Sequence, residues 1–164
     1  MIKYKTGNIF DADCEAIVNT VNCVGVMGRG LALQFKKRFP ENYTAYKKAC
    51  KRKEVKLGKM FVYHTDNILN PKYIINFPTK DHWRNDSCVA DIETGLEALT
   101  KFIREENISS IAIPPLGCGL GGLNWKLVRN KMEIAFGPLN NVLINIYQPH
   151  DVVSAKKIFP SSKV

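Results

Sequence analysis

The chain reads as an α/β protein built on a largely parallel sheet covered on both faces. Strand-length apolar runs alternate along it with segments of helical periodicity. Those runs are near-continuous, as at Ala16-Ile17-Val18 and Tyr73-Ile74-Ile75, instead of alternating with polar residues, which is the pattern of strands buried on both sides. Loops at 7–9, 19–30, 78–84 and 115–122 all follow strands. Ligands in such folds bind beyond the carboxyl ends of strands, so one cleft can collect all four loops.

Residues 2–6 form a first strand, ending at Thr6-Gly7-Asn8-Ile9, and Ala16 to Asn19 a second. A glycine-rich loop, Cys23 to Gly30, leads into a helix near Leu31, with Leu31, Gln34, Phe35 and Arg38 on successive turns. Pro40 stops it and, standing before Glu41, permits a second helix from Asn42 to about Lys53. Lys59 to His64 and Lys72 to Phe77 are the third and fourth strands. Asp86 or Ser87 is placed to cap a long helix whose apolar stripe is Ile92, Leu96, Leu99 and Ile103, spaced i, i+4, i+7, i+11. Ile108 to Pro114 is a fifth strand, followed by a second glycine loop. A helix from about Asn124 to Phe136 and a last strand, Val142 to Tyr147, close a domain of residues 1–148. No periodicity survives from His150 onward, and Pro160-Ser161-Ser162 marks residues 149–164 as a tail or the start of a linker.

At 164 residues, 45% of them hydrophobic and 24% charged, the chain is sized for one domain with a substantial core, which excludes disordered and fibrous classes. No apolar run approaches the roughly 18–20 residues of a membrane span, and Met1-Ile2-Lys3-Tyr4-Lys5 is a strand pattern, not a secretory signal. Five scattered cysteines without a Cys-x-x-Cys pair fit a reducing cytoplasm and argue against a disulfide framework or a cysteine zinc site. His64 ends a strand and His150 starts the tail. With His82 they make three isolated histidines lacking acidic neighbours at ligand spacing, so no metal is expected. The net charge of +9 is concentrated between Lys36 and Lys59, where ten basic residues face only Glu41 and Glu54. Such a stripe either attracts a polyanion such as nucleic acid or is a solvated helix face.

Gly117, Gly119, Gly121 and Gly122 place four glycines in six positions between strand and helix. Backbone N–H groups in such a loop converge on an anion, helped by the positive end of the following helix. No Gly-Lys-Ser/Thr follows and the spacing is not Gly-x-Gly-x-x-Gly, so the loop is either a generic phosphate cradle or a tight turn. A second loop with Gly25, Gly28 and Gly30, also entering a helix, favours the cradle, because two such loops suit a diphosphate held from both sides. Between them in sequence, Ile75 to Arg84 runs from a buried strand through Pro78 into Thr79, Lys80, Asp81, His82, Trp83 and Arg84, polar residues aimed by a rigid element. His82 and Trp83 are suited to stacking on a nucleobase; Trp83 equally suits a core position under the loop, and Trp125 suits packing.

Thr6-Gly7-Asn8-Ile9, Val18-Asn19-Thr20-Val21-Asn22, Gly25 to Ala32, Asn76-Phe77-Pro78-Thr79-Lys80 and Pro115-Leu116-Gly117-Cys118-Gly119 together resemble a macrodomain, of the type in DNA ADP-ribosyl glycohydrolase antitoxins of DarT–DarG systems. The resemblance implies a three-layer α/β/α fold with an ADP-ribose cleft. It places Asn8 and Ile9 at the adenine, and Thr20, Val21 and Asn22 toward the distal ribose. Gly28, Gly30, Leu31, Ala32, Leu33 and Gln34 belong to the first substrate loop, and Gly117, Cys118, Gly119, Leu120 and Gly121 to the diphosphate loop. Thr79 and Lys80 fall in the catalytic segment, with Lys80 at the position of the proposed nucleophile. Two departures stand out. Most macrodomains carry Asp where this chain has Asn8, which weakens a bond to the adenine amino group. Related lysine-dependent enzymes acting on ADP-ribosylated protein carry an Asp in the second glycine loop, where this chain reads Leu120-Gly121-Gly122.

The implied reaction releases ADP-ribose from thymidine in single-stranded DNA, through an oxocarbenium-like transition state at the anomeric carbon. The sequence offers no obvious pair of flanking carboxylates. Lys80 can attack the ring-opened sugar to give a Schiff base, or it can stabilise the leaving base by its charge. The first route needs free amine, and only about one ordinary lysine in a few thousand is deprotonated at pH 7. The expected partners are ADP-ribose, the modified DNA and a cognate DarT-type toxin, with a monomeric chain and no cofactor. The competing readings are a module that binds ADP-ribose without turnover and a hydrolase of small ADP-ribose esters or ADP-ribosylated protein.

Overall fold

A computed structural model describes residues 1–150. The expected tail falls almost wholly on residues 151–164, outside the described residues. Six strands make one sheet: β1 (Ile2–Lys5), β2 (Ala16–Val21), β3 (Phe61–His64), β4 (Tyr73–Pro78), β5 (Ser110–Ile113) and β6 (Leu143–Tyr147). Their spatial order is β1-β6-β5-β2-β4-β3, parallel throughout except that β3 runs antiparallel to β4 at one edge. Four helices cover it: α1 (Gly30–Arg38) and α2 (Pro40–Lys51) on one face, α3 (Val89–Glu105) and α4 (Trp125–Phe136) on the other. The architecture is the expected three-layer α/β/α arrangement.

The strands serve both faces because successive side chains alternate. Along β2, Ala16 and Val18 join the cluster beneath α3 and α4, while Ile17 packs with Phe35 of α1. Ile75 and Phe77 of β4 face the first side and Ile74 the second. The α3 stripe of Ile92, Leu96, Leu99 and Ile103 is fully buried, each side chain contributing about 1.5–3 kcal/mol through burial. Gly95 lies on the same face because Phe77 crosses it closely: a Cβ there would lie 2.5 Å from Phe77 Cε1.

Two local expectations change. Neither Asp86 nor Ser87 caps α3; the N-cap is Cys88, which makes no side-chain capping bond. Ser87 is instead drawn to the second glycine loop, its N–H donating to the Gly121 carbonyl at 2.9 Å. The second helix starts at Pro40, two residues early, because proline is preset for the first helical position. A 3-10 turn at Ile9–Asp11 was not foreseen from periodicity.

Candidate functional site

A cavity of about 680 Å³ opens at the carboxyl ends of β2, β4 and β5, within the range of small-molecule sites. It gathers loops distant in sequence because β2 lies between β4 and β5. β2 brings Thr20, Val21 and Asn22, β4 brings Thr79 and Lys80, and β5 leads into Pro114 and the second glycine loop. Gly28 and Gly30 line it from one side, Gly117, Gly119 and Gly121 from the other.

The first glycine loop is held from beneath. Asn22 is buried; its Nδ2 donates to the Val26 carbonyl at 2.8 Å and its Oδ1 accepts from the Val24 and Val26 N–H groups. The Tyr46 hydroxyl of α2 lies 2.7 Å from the Asn22 carbonyl and 2.9 Å from its Oδ1, and with one proton it donates to either in turn. Burial pushes the Tyr46 phenol far above its ordinary pKa, so it remains a donor. Deeper, Asn42 of α2 exchanges hydrogen bonds with Asn76 of β4, and Asn19 donates to Asn76 Oδ1 at 3.2 Å. These bonds tie α2 to the strands that carry the site.

The loop then enters α1, whose N-cap Arg29 makes no side-chain capping bond. Gly30, Leu31 and Ala32 therefore present the positive end of α1 to the cavity. Behind the second loop the situation differs. Asn124 Oδ1 accepts from Leu127 N at 3.2 Å and caps α4, and no residue of α4 lines the cavity. The second loop is anchored at its base and exposed at its tip, Gly119–Leu120. Leu123 N donates to Gly117 O at 2.9 Å, Gly117 and Gly122 adopt positive φ, and the N–H groups of Gly119, Leu120 and Gly121 donate to no acceptor among the described residues.

The segment after β4 folds into a compact turn. Thr79 N donates to Val21 O and Cys23 N to Asp81 O, both at 2.9 Å. Lys80 Nζ donates to the Trp83 carbonyl at 3.2 Å, and His82 Nδ1 accepts from Arg84 N at 3.1 Å. Trp83 is 42% exposed, so it is not a core residue; it lines the cavity with the Arg84 guanidinium 4.6 Å over its ring and His82 beside it. Arg29, Lys80 and Arg84 make the lining cationic against a single carboxylate, Asp86.

Of the residues singled out from sequence, the cavity collects Thr20, Val21, Asn22, Gly28, Gly30, Leu31, Ala32, Thr79, Lys80, Trp83, Gly117, Gly119, Leu120 and Gly121. Six lie outside its lining. Asn8 Oδ1 accepts from Phe10 N at 2.9 Å as cap of the 3-10 turn, and Ile9 is buried against Phe35. Leu33 and Gln34 lie further along α1, His82 sits behind Trp83, and Cys118 points its thiol toward Leu116 O. Arg29 and Arg84, which fall within the stretches singled out from sequence, line the cavity too, and so do Asn85 and Asp86, which lie just past the 78–84 loop and were not expected there. Trp125 packs against the core as expected. In the basic segment, Lys36 lies over Tyr43, Arg38 over Phe10, and Arg52 pairs with Glu54, while Lys47, Lys48 and Lys51 project from α2.

The sequence model of the Macro domain family matches residues 18–132. The chain is a macrodomain. Its sequence is 58% identical over 149 residues to the DNA ADP-ribosyl glycohydrolase of Mycobacterium tuberculosis, covering 91% of this chain and 42% of that protein. It is 48% identical over 160 residues to the enzyme of the same name from Thermus aquaticus, covering 98% and 44%. This macrodomain thus spans less than half the length of these two curated relatives. The solved macrodomain of Mycobacterium tuberculosis DarG superposes with a TM-score of 0.89 over 91% of this chain and 98% of that one. Thermosipho africanus DarTG in complex with ADP-ribose superposes at 0.84 and 35% identity, covering 90% and 42%. No helix of the described residues is long and apolar enough to cross a membrane.

Proposed function

We propose that this macrodomain is a DNA ADP-ribosyl glycohydrolase that releases ADP-ribose from thymidine in single-stranded DNA, undoing the work of a DarT-type transferase toxin. The observation that carries the reading is the placement of Lys80 on the wall of a cavity flanked by two glycine loops. The unpaired amides of 119–121 and the open N-terminus of α1 suit the diphosphate of ADP-ribose. Lys80 then lies at the end of the cavity where Trp83 and Arg84 offer a stacking surface for a nucleobase. The names of the relatives support the same activity, and the Thermosipho africanus relative, a transferase–glycohydrolase fusion, supports the toxin as partner. The exposed lysines of α2 supply contacts for flanking phosphates, and we take the unit to act as a cytoplasmic monomer.

In this reading Lys80 is the catalytic residue, and Thr79 and the glycine loops bind substrate. The test is release of ADP-ribose from an oligonucleotide ADP-ribosylated on thymidine, beside an ADP-ribosylated protein. Lys80→Ala should abolish release from DNA while leaving calorimetric ADP-ribose affinity within about threefold. Undiminished turnover in that variant would sink the role of Lys80. ADP-ribose binding without turnover by the native chain would make it a binding module. Activity on DNA that is insensitive to salt would favour a small-ester hydrolase, because phosphate contacts impose a steep salt dependence.

A further inference from the structure

We infer that Asp86 is a second catalytic residue of this cavity, the carboxylate that takes the proton of the attacking water and delivers it to the departing base. The inference rests on the glycohydrolase reading. Hydrolysis at an anomeric carbon is accelerated by a group that accepts a proton from the attacking water. Asp86 is the one acidic side chain in the cavity lining. Asp81, nearer Lys80 in sequence, lies outside that lining beside the Cys23 thiol.

The placement of Asp86 is specific. It leaves the same turn as Lys80 and crosses to the second glycine loop, where its Oδ1 lies 3.9 Å from the position a Cβ on Gly122 would occupy. Its neighbour Ser87 is anchored by the bond to Gly121 O at 2.9 Å, which holds the Asp86 backbone against that loop. None of the ion pairs of the described residues uses the Asp86 carboxylate. Nor does it cap α3, whose N-cap is Cys88. An exposed, uncommitted carboxylate at the wall of a cationic cavity is free to meet water and substrate together.

The step balances. The bond between the anomeric carbon and the base nitrogen breaks, its electron pair leaving with the base. A water oxygen bonds the carbon, and that water's proton passes to Asp86 and then to the base nitrogen, which restores the carboxylate. The net change is addition of one water. If Lys80 first forms a Schiff base, the protons of its amine go to the departing base and the opened ring oxygen, and Asp86 then passes the proton of the hydrolysing water to the lysine nitrogen, which restores both side chains, so the assignment holds for either role of Lys80.

The experiment compares the native chain with Asp86→Asn, Asp86→Glu and Asp86→Ala on thymidine-ADP-ribosylated oligonucleotide, with ADP-ribose affinity and Tm measured in parallel. Asp86→Asn should lower kcat by about 100-fold or more, the usual contribution of proton transfer, with ADP-ribose affinity within about threefold. Formate should partly restore Asp86→Ala. Asp86→Asn turnover within about fivefold of native would overturn the inference. So would a loss of affinity matching the loss of kcat, or a lowered Tm with kcat retained, which would leave Asp86 only a binding or helix-terminal role. A native chain that releases nothing from DNA would instead overturn the glycohydrolase reading itself.

Discussion

Gly121→Ala tests the rigidity of the second glycine loop. A Cβ at this position would sit 2.5 Å from the Gly117 carbonyl oxygen and closer still to Ser87 Oγ. The hydroxyl can turn aside, but the carbonyl is backbone and is held by Leu123 N at 2.9 Å. The loop must therefore open, at the roughly 1–3 kcal/mol typical of overpacking. In the free protein an exposed loop can shift and relieve much of this strain. With a diphosphate bound, the amides of 119–121 must return to place, so the strain reappears as lost affinity. At about 1.4 kcal/mol per tenfold, the expected weakening of ADP-ribose binding is about 5- to 150-fold. Strain that is not relieved lowers Tm instead, by about 2–4 °C per kcal/mol at this size. Calorimetric titration with ADP-ribose and a thermal melt read both quantities. If neither affinity nor Tm moves, the loop is neither tightly packed nor the proposed seat of the diphosphate.

Two further outcomes follow from buried groups. Tyr46→Phe removes the donor to Asn22 and leaves a buried acceptor unpaired; it should lower stability by about 1–3 kcal/mol in denaturant titration and weaken ADP-ribose binding through the first glycine loop, and an unchanged midpoint would contradict that role. Burial raises the Cys23 and Cys118 thiols to about 11, leaving roughly one thiolate per thousand at pH 8, whereas Cys88 is exposed. Brief alkylation read by mass spectrometry should therefore mark Cys88 first, and prior labelling of Cys23 or Cys118 would show that the loops open readily.

Much of the cavity lining was legible in the sequence. The glycine spacing at 25–30 and 117–122 pointed to a two-sided anion cradle, and both loops do line one cavity. Lys80 stood out as a polar residue closely following an apolar strand. Asp86 was not legible as a site residue, because a lone aspartate before a helical pattern reads as a cap. Its position depends on Ser87 pairing with Gly121, 34 positions onward. The side chains of Asn8 and Asn22 were equally illegible in detail: each is engaged by backbone groups of its own loop, which residue type alone does not reveal.

What the sequence by itself determined is whatever local periodicity encodes. Burial on one helical stripe or both faces of a strand leaves its mark within a dozen residues, so the sheet and the α3 stripe could be read directly. What only the tertiary structure decided is which loops meet, and which helix end is open. The strand order β5-β2-β4 is a non-local choice, and it sets Lys80, Asp86 and the two glycine loops around one cavity. Gly30, Leu31 and Ala32 at the uncapped start of α1 line the cavity, whereas no residue of α4 does, so the positive helix end that faces the cavity is that of α1.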